Sequence, residues 1–135
     1  MPLVIDASVV AAWHFPDERS AAGDAILTRL ESDRAVMPAL WWFQVRNVLL
    51  IGERRGRTAR EHTEAFVDFL RGLPIELAPL PEELTVLQLA RQHQLSFYDA
   101  AYLELAQRER IALATLDRAV ARAATVEGVP LIAAA

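Results

Sequence analysis

The hydrophobic positions of this chain follow two different patterns. Short continuous apolar runs, Leu3-Val4-Ile5 and Ala35-Val36-Met37, are separated by longer stretches in which apolar residues recur three and four apart. A continuous run marks a strand covered on both faces, and the wider spacing marks a helix with one buried stripe. The first run passes directly into Asp6-Ala7-Ser8, so a buried strand leads straight into a helix. After Pro16, the segment 17–33 carries Ala22, Ile26, Leu27 and Leu30 at helical spacing, with acidic residues near its start where they complement the helix dipole.

Pro38 introduces a helix expected over 39–54 that stops near Gly56. Thr58 and Glu61 have capping-box spacing for the next helix, whose apolar face is Ala65, Phe66, Phe69 and Leu70 and which ends at Gly72. Ile75-Glu76-Leu77 is a weaker third strand, followed by helices from Pro81 through 93 and over 97–109. Ala112-Leu113-Ala114 reads as a strand, Asp117 caps a helix to 125, and 129–132 closes as a last short strand. Short strands alternating with helices predict parallel pairing through right-handed crossovers, hence a three-layer α/β/α sandwich around a mainly parallel sheet. Ligands of such sheets bind beyond the carboxyl ends of the strands, where Asp6 and Asp117 lie.

Length and composition narrow the classes. The 135 residues suffice for one domain, expected over 1–135, and no linker, repeat or low-complexity segment divides them. The absence of cysteine excludes thiol catalysis, disulfide scaffolds and Cys-based metal sites, and suits a reducing cytoplasm. No apolar run approaches the roughly 18 residues of a membrane span, and the start lacks the basic leader of a secretory signal, so a mature start near Met1 and no membrane partner are expected. A net charge of -4 argues against gripping nucleic acid by bulk electrostatics. All 14 basic residues are Arg, a usage that genomic base composition explains more simply than phosphate binding.

Singly, Asp6 and Asp117 are explained equally well as helix N-caps. Asp99 is harder to dismiss: Phe97-Tyr98-Asp99-Ala100-Ala101-Tyr102 sets an acid among aromatic and small residues, although a solvated first-turn acid is the alternative. Three carboxylates converging at one sheet edge repel one another unless a cation neutralises them, and hard oxygen donors select magnesium or manganese. Magnesium keeps several waters, leaving room for a phosphate oxygen and an attacking water, so phosphodiester hydrolysis is the natural chemistry.

Four segments then carry a resemblance: Val4-Ile5-Asp6-Ala7-Ser8, Pro38-Ala39-Leu40 through Asn47-Val48-Leu49, Ser96-Phe97-Tyr98-Asp99-Ala100-Ala101-Tyr102, and Ala114-Thr115-Leu116-Asp117-Arg118. In order and spacing, over nearly its whole length, the chain resembles a PIN-domain ribonuclease of the VapC toxin type. The resemblance implies a PIN-like fold, a metal-dependent endoribonuclease acting on RNA, and Asp6, Asp99 and Asp117 as ligands of one or two magnesium or manganese ions. It also implies a homodimer and a VapB-type antitoxin partner. Ser8 and Thr115 become supporting hydroxyls, a role that stands beside simple satisfaction of local backbone groups.

One position departs from the family pattern. Gln44 stands where a glutamate is usual, three residues before Asn47, on the same helical stripe as Leu40 and Val48. An amide is a weaker magnesium ligand than a carboxylate and is no general base, so a second reading arises: a weakened or inactive PIN domain that serves as an antitoxin-binding module. A third, a response-regulator-like acidic pocket for phosphoryl transfer, lacks the Lys such pockets employ. Asn47 reads equally as a hydrogen-bond donor to a site carboxylate and as a buried amide serving backbone groups.

The remaining features are weaker. Arg54, Arg55, Arg57 and Arg60 read as a solvated helix end before they read as phosphate contacts. His14, His62 and His93 lack ligand or triad spacing and are assigned no catalysis. Trp41-Trp42-Phe43 spreads aromatics around a helix, so at least one is expected to meet a partner chain.

Overall fold

The computed structural model describes residues 1–132; the last three residues of the expected domain, 133–135, lie outside the described part. Four strands, β1 (Leu3–Ile5), β2 (Ala35–Pro38), β3 (Ile75–Ala78) and β4 (Ala112–Ala114), form one sheet in the order β3-β2-β1-β4. Every pairing is parallel. Among the described residues seven α-helices accompany them: α1 (Ala7–His14), α2 (Ala21–Arg29), α3 (Leu40–Arg54), α4 (Arg60–Arg71), α5 (Glu83–His93), α6 (Phe97–Glu109) and, after β4, α7 (Arg118–Val126). The α/β reading of a short-stranded parallel sheet therefore holds.

Burial explains the composition of the centre. All of β1 and β2 is buried, as their unbroken apolar runs require. α6 is buried continuously from Ala100 to Ala106, so it is a helix covered nearly all round, packed against the sheet on one side and α5 and α7 on others. Its small alanines allow that close approach, and its one buried charge, Glu104, is held by Arg108 one turn on at 2.8 Å. Gly52 on α3 serves a similar purpose: a Cβ there would come within 2.7 Å of the Phe15 ring.

Several local expectations are corrected. The segment 17–33 is not one helix: a 3-10 turn at Pro16–Glu18 precedes α2, which Ser20 caps through its hydroxyl to the Gly23 amide. Thr58 caps nothing; α4 starts at Arg60 without a side-chain cap, because the Thr58 hydroxyl is engaged with His14 Nε2 at 2.8 Å. The closing strand at 129–132 shrinks to one parallel bridge between Leu131 and Leu113, flanked by two backbone hydrogen bonds. Arg57, exposed just after α3 as the solvated-end reading expects, is in addition paired: its guanidinium binds Asp17 and Glu18 and lies 4.1 Å over the Phe15 ring.

Candidate active site

The register of the sheet builds the site. Ile5 pairs with Ala114, so the residues that follow, Asp6 and Thr115, leave the sheet side by side, and the Asp6 amide donates to the Ala114 carbonyl at 3.1 Å. Asp6 then caps α1, accepting from the Ser8 and Val9 amides through Oδ1. The Ser8 hydroxyl donates to the same oxygen, and the Thr115 hydroxyl donates to Oδ2. Ser8 Oγ also accepts from the Leu116 amide at 2.9 Å, and Thr115 Oγ1 from the Asp117 amide at 3.0 Å. Ser8 and Thr115 therefore each satisfy a backbone amide, as the local reading expects, and each also hydrogen-bonds an oxygen of Asp6.

Asp117 caps α7, with Oδ1 accepting from the Val120 amide at 3.0 Å. Asp99 stands in the first turn of α6, whose cap Ser96 accepts from the Asp99 amide. The cap readings are thus correct for Asp6 and Asp117, and they do not compete with chemistry, because a capped carboxylate keeps lone pairs for other partners.

The electrostatics set Asp6 and Asp99 apart from ordinary surface acids. Asp6 is 3% exposed, and burial pushes its carboxyl up to about 6 against the pull of its hydrogen bonds, with the charge of Asp99 adding to the rise. Asp99 is raised too, by burial first and then by the charge of Asp117. Each acid feels the next, and no Lys or Arg acts on either. Tyr102, one turn beyond Asp99 on α6, is pushed well above the usual phenol range by burial and by the charges of Asp6 and Asp99.

This uncompensated negative charge fits a hard divalent cation in its donor chemistry. Among the described residues no three His, Asp or Glu side chains are gathered into a ready-made cage. The donor chemistry of the acids suits such an ion, while their arrangement does not by itself form a ligand cage.

Gln44, half-buried on α3, is on the site's side as its stripe predicts: its Oε1 accepts from the Tyr102 hydroxyl at 2.7 Å. It lines a crevice of about 540 Å³ together with Leu40, Trp42, Asn47, Leu50 and Tyr98. Asn47 is exposed there, so it is not a buried amide, and it makes no hydrogen bond to a described carboxylate. Trp41 turns into the core, whereas Trp42 and Phe43 are 43% and 70% exposed. His14 and His93 bond Thr58 and Glu127 elsewhere in the fold. The residue not singled out beforehand is Tyr102; its place three residues after Asp99, one helical turn along the same face, was the available signal.

Comparison with known proteins agrees with this architecture. The family model described as PIN domain matches residues 3–126. Ribonuclease VapC3 of Pyrobaculum aerophilum is 31% identical over 126 residues, which cover 90% of this chain and 93% of that protein. The crystal structure of VapBC2 from Rickettsia felis, bound to a DNA fragment from its promoter, matches with a TM-score of 0.67 at 11% identity over 98% of both chains. VapC20 of Mycobacterium tuberculosis, described as a Sarcin-Ricin loop cleaving toxin, matches with a TM-score of 0.61 at 14% identity over 90% of this chain and 94% of that one. The two structures support the fold, and the sequence matches carry the kinship: the chain belongs to the PIN-domain family, among its VapC-type ribonucleases.

Proposed function

We propose that this protein is a divalent-metal-dependent endoribonuclease that hydrolyses RNA phosphodiesters as the toxin of a type II toxin-antitoxin pair. The observation that supports the reading is that Asp6 and Asp117 follow the neighbouring parallel strands β1 and β4 at one sheet edge, where the charge of Asp117 raises Asp99 and that of Asp99 raises Asp6. Asp6, Asp99 and Asp117 would hold Mg²⁺ or Mn²⁺, which supplies an activated water and neutralises charge on the phosphate when bound. The chain's own residues prepare that site. Ser8 and Thr115 fix both oxygens of Asp6, and the α1 and α7 amino ends fix the rotamers of Asp6 and Asp117. Burial raises the Asp6 carboxyl to about 6, so a cation that binds the ionised form would compete with the proton in mildly acid solution.

A VapB-type antitoxin would silence the protein by covering the acidic end, and a homodimer would use exposed aromatics such as Trp42 and Phe43. The VapBC2 complex of Rickettsia felis supports such a partnership by analogy. Among the described residues no helix is long and apolar enough to cross a membrane, in keeping with a cytoplasmic toxin.

Gln44 sustains the second reading, a silenced nuclease that retains antitoxin binding, because its carbonyl oxygen is already engaged by Tyr102. One experiment tests both. Purified protein, Gln44→Glu and Asp99→Ala are assayed for Mg²⁺- and Mn²⁺-dependent cleavage of a structured RNA panel. Cleavage by the native chain that Asp99→Ala lowers by at least ~100-fold supports the enzyme. Cleavage by Gln44→Glu alone supports the silenced nuclease, and undiminished cleavage by Asp99→Ala removes the site.

A further inference from the structure

The hydrogen bond between α6 and α3 gives Gln44 a direction. Its carbonyl oxygen accepts from the Tyr102 hydroxyl at 2.7 Å, which leaves the amide nitrogen as the free end. That nitrogen makes no hydrogen bond to a described residue, yet it is not a buried orphan. It belongs to a side chain that lines the crevice beside Arg46 and Asn47. Tyr102 is nearly fully buried, at 1% exposure, and its ring is fixed by the centre of α6. A phenol held this rigidly orients its acceptor more firmly than water would.

We propose that Tyr102 is a positioning residue that turns the Gln44 amide into a hydrogen-bond donor, and that this donor binds a non-bridging oxygen of the substrate phosphodiester. The side chain at this position then serves RNA directly and is not a metal ligand. The chemistry favours phosphate: a phosphodiester brought to Asp6, Asp99 and Asp117 meets carboxylates that repel it, and an N–H donor on a side chain bonded to Tyr102, whose phenol the charges of Asp6 and Asp99 reach, offsets part of that repulsion. A carboxylate at the same position would add to the repulsion. The inference rests on the proposed nuclease reading and deepens it.

Two measurements on the full-length protein separate the roles. The first is calorimetric titration with Mn²⁺ alone. Gln44→Ala should keep its Mn²⁺ affinity within about twofold, whereas Asp99→Ala should lose roughly tenfold or more, as expected when a charged ligand is removed. If Gln44→Ala loses affinity as Asp99→Ala does, Gln44 is a ligand and the proposal is overturned. The second is fluorescence anisotropy of a short end-labelled single-stranded RNA in EDTA at low ionic strength. Gln44→Ala should weaken binding roughly tenfold, the scale of one hydrogen bond to a charged group, and Gln44→Glu should weaken it further.

Tyr102→Phe should weaken RNA binding by a few fold in the native background and by nothing more in the Gln44→Ala background. That non-additivity is the mark of two residues acting as one, which a purely structural loss would not produce. Additive losses, or failure of the native chain to bind the RNA at all, would overturn the proposal. Loss of cleavage in Asp99→Ala with unchanged RNA binding in Gln44→Ala would remove this inference and leave the nuclease reading standing.

Discussion

Two charged regions of this molecule use the same residue types to opposite ends. At the amino end of the 3-10 turn, Arg57 bridges Asp17 and Glu18 at 3.0 and 2.6 Å and rests on Phe15, so each charge there has an opposite partner. At the carboxyl ends of β1 and β4, Asp6, Asp99 and Asp117 have hydroxyl and amide partners but no cation. Paired charges at the surface close a local structure at little cost or gain. Unpaired charges drawn inward cost stability, which is why this edge is the candidate site.

The largest expected departure between the regions is in pH dependence. Asp6 holds its proton up to about 6 in the folded chain, against 3.8 when free. Between those values the folded state binds more protons than the unfolded one, so this carboxylate lowers stability as pH rises, by about 3 kcal/mol once both states are ionised. Denaturant melts from pH 4 to 7 should show the native chain losing stability relative to Asp6→Asn across that window. Saturating Mn²⁺ should return part of the loss at pH 7 and little at pH 4, because a cation binds the deprotonated form. A constant difference between native and variant would mean that burial does not control Asp6.

Thr115→Val should come next. Its hydroxyl donates to Asp6 and accepts from the Asp117 amide, so removing it strands two groups at a buried site. A loss of about 2 kcal/mol is expected in denaturant melts, together with weaker Mn²⁺ binding in titrations of the folded variant. Arg57→Ala should have the smallest effect: a slight drop in melting temperature that disappears in high salt, with Mn²⁺ affinity unchanged. A large, salt-insensitive loss would show that the two regions are not as different as their pairing suggests.

Much of the site was legible because a parallel sheet has simple rules. Asp6 and Asp117 stand just after strands whose apolar runs are plain, and residues that leave neighbouring parallel strands emerge at the same edge. Asp99 was legible from its segment, Ser96 to Tyr102. The misplaced Thr58 shows the opposite case: its spacing to Glu61 suits a cap, yet the hydroxyl is used by His14, 44 residues away. Local spacing cannot report such a competitor.

By itself, the sequence determined the alternation of strand and helix, the burial of the apolar runs of β1 and β2, and the sheet edge to which Asp6 and Asp117 belong. These follow from short-range periodicity and from the way parallel strands must connect. Only the tertiary structure decided how the acids' neighbours are used. The Tyr102–Gln44 bond joins residues 58 apart, the Thr115–Asp6 bond residues 109 apart, and the Arg57–Asp17 pair residues 40 apart. Each depends on how whole helices settle against the sheet, a matter of side-chain volumes packed together that no single segment encodes.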